Sequence, residues 1–240
     1  MDKLNERQNK ILGMVIKDYI QYIRPIGSSR LVKRHKMACS SATVRNDMAL
    51  MESFGLLSQS HVSSGRIPTA CGYRYYIDNL MTSCDIPARF RRRIINNFRA
   101  IDSSKYSLAV KFLADELSAL TNNLTVVTIP PDRIETSGLR YVLRHPEFLD
   151  NDLVKNLGFV IDNLDEIMFA IRDQMVDCNF QVFVASELGY DYTKGMSIAV
   201  RKFKDPFGEL HVIGSVGPVR MNYNILPNLM DFATEVLEEF

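Results

Sequence analysis

Residues 6–80 are cut into short helical stretches by stop and start signals, and this punctuation constrains the fold more than any other feature of the chain. Ile11, Leu12, Val15, Ile16, Tyr19, Ile20 and Ile23 follow the i, i+3, i+4, i+7 spacing of one helical stripe over 6–23. Arg24-Pro25 breaks the stripe, because a residue before proline is pushed out of the α region. Ser28 then reads as the N-cap of a short second helix ending near His35, with Arg30, Lys33, Arg34 and Lys36 on its basic face. Ser40 opens a third helix over 40–54, with Val44, Met48, Met51 and Phe54 inward and Gly55 as the residue that ends it. Residues 56–61 alternate weakly and read as a strand, and residues 62–67 as a small polar hairpin tip carrying Arg66. Pro68-Thr69 starts a fourth helix, with Tyr73, Tyr76, Ile77 and Leu80 inward. Three helices followed by such a hairpin is the order of a winged helix-turn-helix.

The face of the third helix opposite its core stripe shows Ser41, Thr43, Arg45 and Asn46 near the N-terminal end. Arg can bond guanine, Asn can bond adenine, and a short hydroxyl reaches a phosphate or a base edge, so this set suits a helix end pressed into a major groove. Taken alone, an ordinary solvated face explains it better. The charge distribution adds weight to the first reading. Residues 1–112 carry a net charge of +11 and residues 113–240 a net charge of −10, which the total of +1 conceals. Such asymmetry suggests a front half that binds a polyanion and an acidic back half, although the two halves could instead attract each other.

Longer blocks narrow the reading. The run Ser40-Ser41-Ala42-Thr43-Val44-Arg45-Asn46-Asp47-Met48 resembles the recognition helix of the HrcA-type heat-inducible transcription repressors of bacteria. So does His61-Val62-Ser63-Ser64-Gly65-Arg66-Ile67-Pro68-Thr69, with Gly72-Tyr73-Arg74-Tyr75-Tyr76 after it. Leu4 to Gln8, Pro25-Ile26-Gly27-Ser28 and the block from Val212 to Tyr223 are similar to the same family. The resemblance implies a DNA-binding head with Ser28, Arg30, Ser40, Ser41, Thr43, Arg45, Asn46, His61, Ser63, Ser64, Arg66 and Arg74 at the nucleic acid. It also implies a homodimer on an inverted-repeat operator of duplex DNA, control of chaperone genes, and the GroE chaperonin as a positive modulator. Members carry a GAF-like domain interrupted by an inserted dimerisation domain. In this chain the sequence after Leu124–Ile129 passes almost at once, by Gly138, to segments similar to far downstream ones. A shortened member is therefore expected, lacking most of the insertion and some strands of the sheet.

The expected fold class is α+β: a winged helix-turn-helix over 1–80, a basic helical connector or dimerisation helix over 81–123, and a reduced GAF-like α/β domain over 124–240. Arg89, Arg91, Arg92 and Arg93 form a dense cluster that reads either as extra phosphate contacts or as a solvated helix face. Residues 151–176 read as one helix, Phe180 to Ala185 as a strand, 196–203 and 210–216 as a hairpin, and 225–239 as a closing helix. Cys39, Cys71, Cys84 and Cys178 form no CxxC and pair with no histidine at zinc spacing, so reduced thiols and no metal or cofactor are expected. No apolar run approaches the roughly 20 residues of a membrane span, and no secretory signal is read at the start. The expected place of action is the cytoplasm, at the nucleoid. Neither a phosphate loop, a nucleophile elbow nor a metalloprotease helix is present, which argues against an enzyme. The competing reading is a winged-helix regulator whose acidic back half senses a small molecule.

Overall fold

The computed structural model describes residues 4–59, 65–102, 104–129, 133–175 and 179–240, and divides into two compact units, Met1–Thr82 and Ser83–Phe240. In the first unit, α1 spans Glu6–Tyr22. Asn5 caps it by accepting from the Gln8 N–H, and the Gln8 side chain accepts from the Asn5 N–H in return. The helix ends at Ile23, whose left-handed backbone (φ 52°) returns its N–H to Tyr19 O. Helix α2 (Ser28–His35) and α3 (Ser41–Ser53) follow, then strands β1 (Leu57–Ser58) and β2 (Ile67–Pro68), paired antiparallel, and α4 (Ala70–Asn79). Ile11, Leu12, Val15 and Ile16 of α1 are fully buried, as are Leu31, Val44, Met51 and Tyr76 from the helices around it. Each such side chain contributes about 1.5–3 kcal/mol by leaving water.

Two glycines let backbones approach closely here. A Cβ on Gly72 would stand 2.1 Å from Leu56 O, and one on Gly65 would stand 2.5 Å from the carbonyl carbon of Ile26. Gly65 precedes Arg66, which exchanges both backbone hydrogen bonds with Ile26 at 2.9 Å. The segment after α1 is thereby tied to the base of the hairpin.

The second unit begins with α5 (Ala88–Phe98) and α6 (Tyr106–Thr121). Strands β3 (Leu124–Ile129) and β4 (Arg133–Ser137) lead to the short α7 (Leu139–Val142), then α8 (Asn151–Asp162) and α9 (Leu164–Gln174). Strands β5 (Phe180–Val184), β6 (Met196–Lys204) and β7 (Leu210–Pro218) precede α10 (Leu226–Glu238). The sheet runs β4-β3-β7-β6-β5 with every neighbour antiparallel. Side chains alternate between two cores. Leu124, Val126, Ile198, Val200, Val212 and Val216 face α8 and α9, whereas Val127, Ile129, Phe203 and Ile213 face α5, α6 and α10. No helix among the described residues is long and apolar enough to cross a membrane.

Four sequence expectations change. Segment 81–123 is not a separate connector: Phe90, Ile94, Phe98, Val110 and Leu113 pack into the same core as Phe232 and Leu237. The expected helix over 151–176 is two helices, because Asn163 leaves helical geometry (φ −115°, ψ 20°). The sheet holds five strands among the described residues, β4 being one that the sequence left unassigned. Gly27, not Ser28, caps α2, and Ser28 is the first helical residue with its side chain buried.

Candidate nucleic-acid interface

Ser40 accepts a hydrogen bond from the Thr43 N–H at 3.1 Å and caps α3, and its hydroxyl lies 3.0 Å from that of Thr43. The cap fixes where the helix starts, and so fixes which side chains leave its first turns. Arg45 and Asn46 are exposed and make no ion pair or side-chain hydrogen bond among the described residues. Ser41 and Thr43 are half-buried beside them. Val44, Met48 and Met51 hold the opposite face in the core. At the other end Gly55 takes φ 72°, and the Leu56 N–H returns to Met51 O, which stops the helix and starts the hairpin.

The helix is pinned by charge as well as by packing. Asp47 is buried and receives both Nε (2.8 Å) and Nη2 (3.2 Å) of Arg7, with Gln8 Nε2 at 3.4 Å. The hydrogen bonds to Asp47, then its charge, raise the Arg7 pKa above the ordinary arginine value. Asp18, also buried, holds Arg34 Nε at 3.3 Å and His35 Nε2 at 3.1 Å, so α1 is tied to α2 in the same manner. Arg34 also lies 4.1 Å over the Tyr22 ring. Arg30, Lys33 and Lys36 remain as the exposed cations of α2 with no ion pair among the described residues.

Three elements meet at a cleft of about 130 Å³, lined by Gly27, Ser28 and Ser29 at the start of α2, Arg45 and Met48 of α3, and Gly65 and Arg66 of the hairpin. Ser28 and Ser29 both line the cleft, and Ser29, exposed at the first turn of α2, is a lining residue that the sequence reading did not name. Helical spacing could have found it: Ser28 lies three residues before Leu31 and shares its buried face. The structure therefore gathers Ser28, Ser29, Arg45 and Arg66, with Ser41, Thr43 and Asn46 on the same helix as Arg45 and Ser40 as its cap. Arg66 is folded back on Glu52 of α3 (2.8 Å) and its side chain is only 15% exposed. Arg74 pairs with Asp78 one turn along α4 at 3.1 Å. His61, Ser63 and Ser64 lie outside the described residues. No cluster of three or more His, Cys, Asp or Glu that could hold a metal ion occurs among the described residues.

Comparison with known proteins then bears on identity. The family model described as "HrcA protein C terminal domain" matches residues 81–225, more than half of the chain. The chain belongs to the HrcA family. Curated relatives named "Heat-inducible transcription repressor HrcA" agree with this. The protein of Caldanaerobacter subterraneus subsp. tengcongensis is 38% identical over 187 residues, covering 72% of this chain and 52% of the relative. That of Staphylococcus carnosus is 35% identical over 127 residues, covering 53% and 39%. The matched part of the chain thus spans between 36% and 52% of the length of these curated HrcA relatives. A solved structure described as "a hypothetical protein" shares the fold, with TM-score 0.78 at 17% identity over 99% of this chain and 98% of that one.

Proposed function

We propose that this HrcA family member is a sequence-specific DNA-binding repressor of heat-shock (chaperone) genes that binds an inverted-repeat operator as a homodimer. The observation that carries the reading is the exposed, unpaired Arg45 and Asn46 on a capped helix whose opposite face is locked in a core. The three helices and two-stranded hairpin of residues 4–82 support a winged helix-turn-helix in which α3 enters the major groove. The cleft at Ser29, Arg45 and Arg66 supports a phosphate seat beside it: N–H groups at a helix start and two guanidinium groups all favour an anion. The five-stranded antiparallel sheet with helices on both faces supports a GAF-like second domain. The relatives are named as heat-inducible repressors, which favours this reading over a small-molecule sensor.

A shift assay on an inverted-repeat operator and on its scrambled counterpart tests the proposal. The operator is expected to bind more tightly, and Arg45→Ala to cost about 1–3 kcal/mol on the operator while relaxing base preference. Equal affinity of the wild type for both sequences would sink the specific reading. The GroE chaperonin acts as a positive modulator under this reading, so adding it is expected to raise the fraction of protein that binds operator.

A further inference from the structure

The second unit carries a groove of about 460 Å³ between α5 and α10. Its floor is apolar and largely aromatic, built from Ile95, Phe98, Phe232 and Phe240. Its rim is charged in both senses, with Arg91 and Arg99 on one side and Glu235 and Glu239 on the other. All four are exposed, and none has an ion-pair partner among the described residues; Arg91 lies 4.7 Å over the Phe232 ring.

A knob stands beside this hole. Phe207, at the turn between β6 and β7, is 76% exposed. It stacks edge-on against Tyr106 at 6.4 Å, Tyr106 meets Phe240 at 6.0 Å, and Phe240 meets Phe98 in the groove at 5.3 Å. The turn does not require an aromatic residue. Asp205 organises it by accepting from the N–H groups of Phe207 and Glu209, and Gly208 supplies the positive φ of 88°. An exposed phenyl ring that the turn itself does not need, two ring contacts from an aromatic groove, fits burial against another molecule.

We propose that this face is the self-association surface of the chain and that its occupant is a second copy. The proposal rests on the homodimer reading above and names where the dimer forms. In a two-fold contact each surface meets itself, so a knob and a hole on one face satisfy each other twice. Phe207 of one copy enters the α5–α10 groove of its partner, and the reverse. The rim obeys the same rule, since Arg91 and Arg99 meet the partner's Glu235 and Glu239. A small organic anion would meet two carboxylates as well as two guanidinium groups and gain little net attraction, and an acidic or a basic partner would meet like charge on one rim. A second copy meets opposite charge on both.

Sedimentation of the full chain tests this with four proteins: wild type, Phe207→Glu, Arg91→Glu/Arg99→Glu, and Glu235→Arg/Glu239→Arg. Every substitution is at an exposed position, so thermal melts are expected to stay close to wild type. Phe207→Glu is expected to weaken the dimer about thirty-fold, the size of a central aromatic anchor. Each double variant is expected to be monomeric alone, and an equal mixture of the two to dimerise. Folded variants that all dimerise like wild type would overturn this surface and leave the homodimer reading standing. A wild type that stays monomeric with and without operator DNA would overturn both. The apolar dye ANS is expected to bind the Phe207→Glu monomer better than the wild-type dimer. Equal binding would mean a groove left open in the dimer and would assign it to a small apolar ligand instead.

Discussion

Three carboxylates decide how the helices of the first unit are held. Asp18, Asp47 and Glu52 each hold a nitrogen side chain from another element: Arg34 and His35, Arg7, and Arg66. Asp47 matters most for α3, because it leaves that helix directly after Arg45 and Asn46. Asp47→Ala strands the buried Gln8 amide and frees Arg7, which is half exposed and returns to water without penalty. A loss of about 1–2 kcal/mol is expected in urea unfolding, together with weaker operator binding in the shift assay. Two histidines of the second unit set a pH dependence. His145 donates from Nε2 to Asn122 O (2.7 Å) and accepts from Arg220 at Nδ1 (3.0 Å). Burial, opposed by the Asn122 bond, lowers its pKa below the ordinary 6.5, and burial lowers that of His211 despite Asp205 nearby. The folded state thus holds fewer protons than the unfolded chain just below that value. Stability from these groups is complete above about pH 6.5 and is lost as pH falls through it toward the folded pKa values. The urea midpoint is expected to drop between about pH 7.5 and 5.5, and His145→Gln combined with His211→Asn to flatten that drop.

At the scale of elements, the starts and stops of the first unit are written locally. Asn5, Ser40 and Thr69 each accept from an N–H three residues ahead, and Gly55 ends α3 with a positive φ, so α1, α3 and α4 could be read within a residue or two. What could not be read depends on distant partners. The sequence Arg133-Ile134-Glu135-Thr136-Ser137 has one strongly apolar residue and becomes the edge strand β4 only because β3 offers it a ladder. The break at Asn163 carries neither Pro nor Gly, and the apolar stripe continues across it from Val160 to Leu164 and Ile167. The Arg66–Glu52 pair spans the turn between α3 and β2 at no regular spacing, so a guanidinium that reads as a free wing contact is half spent on the protein itself. That Ser29 stands exposed beside the buried Ser28 was legible in principle, from the helical spacing alone. Gly72 gives a test at this scale. Gly72→Ala drives a methyl group against Leu56 O, which belongs to the turn where α3 hands over to the hairpin. Overpacking against backbone is expected to cost about 1–3 kcal/mol or more. Circular dichroism melts would show it, and operator binding is expected to fall with it because the hairpin must move.

At the scale of the whole molecule, the sheet of the second unit poses a problem that a one-sided sheet does not have. When one face is wet and the other dry, slipping a strand by a residue turns its apolar set to water and is punished. Here both faces are dry, so hydrophobicity alone would let β6 slide past its neighbours almost unpenalised. The polar side chains buried in it act as index marks. Lys202 reaches Arg172 O (2.9 Å) and Met175 O (2.8 Å), and Ser197 receives the Tyr223 hydroxyl (2.8 Å). Across the sheet Ser215 receives Asn123 Nδ2 (3.1 Å), and Thr128 receives the Val212 N–H (2.8 Å). Each partner exists at one alignment only. Lys202→Met, which keeps the length and loses the ammonium, is expected to change the melting free energy by no more than about 1–2 kcal/mol. The amide spectrum is the better readout: doubled resonances along β6 would report a strand that had lost its place. The few polar groups inside this sheet would then be an alignment code, costing some stability so that a strand greasy on both sides has one address.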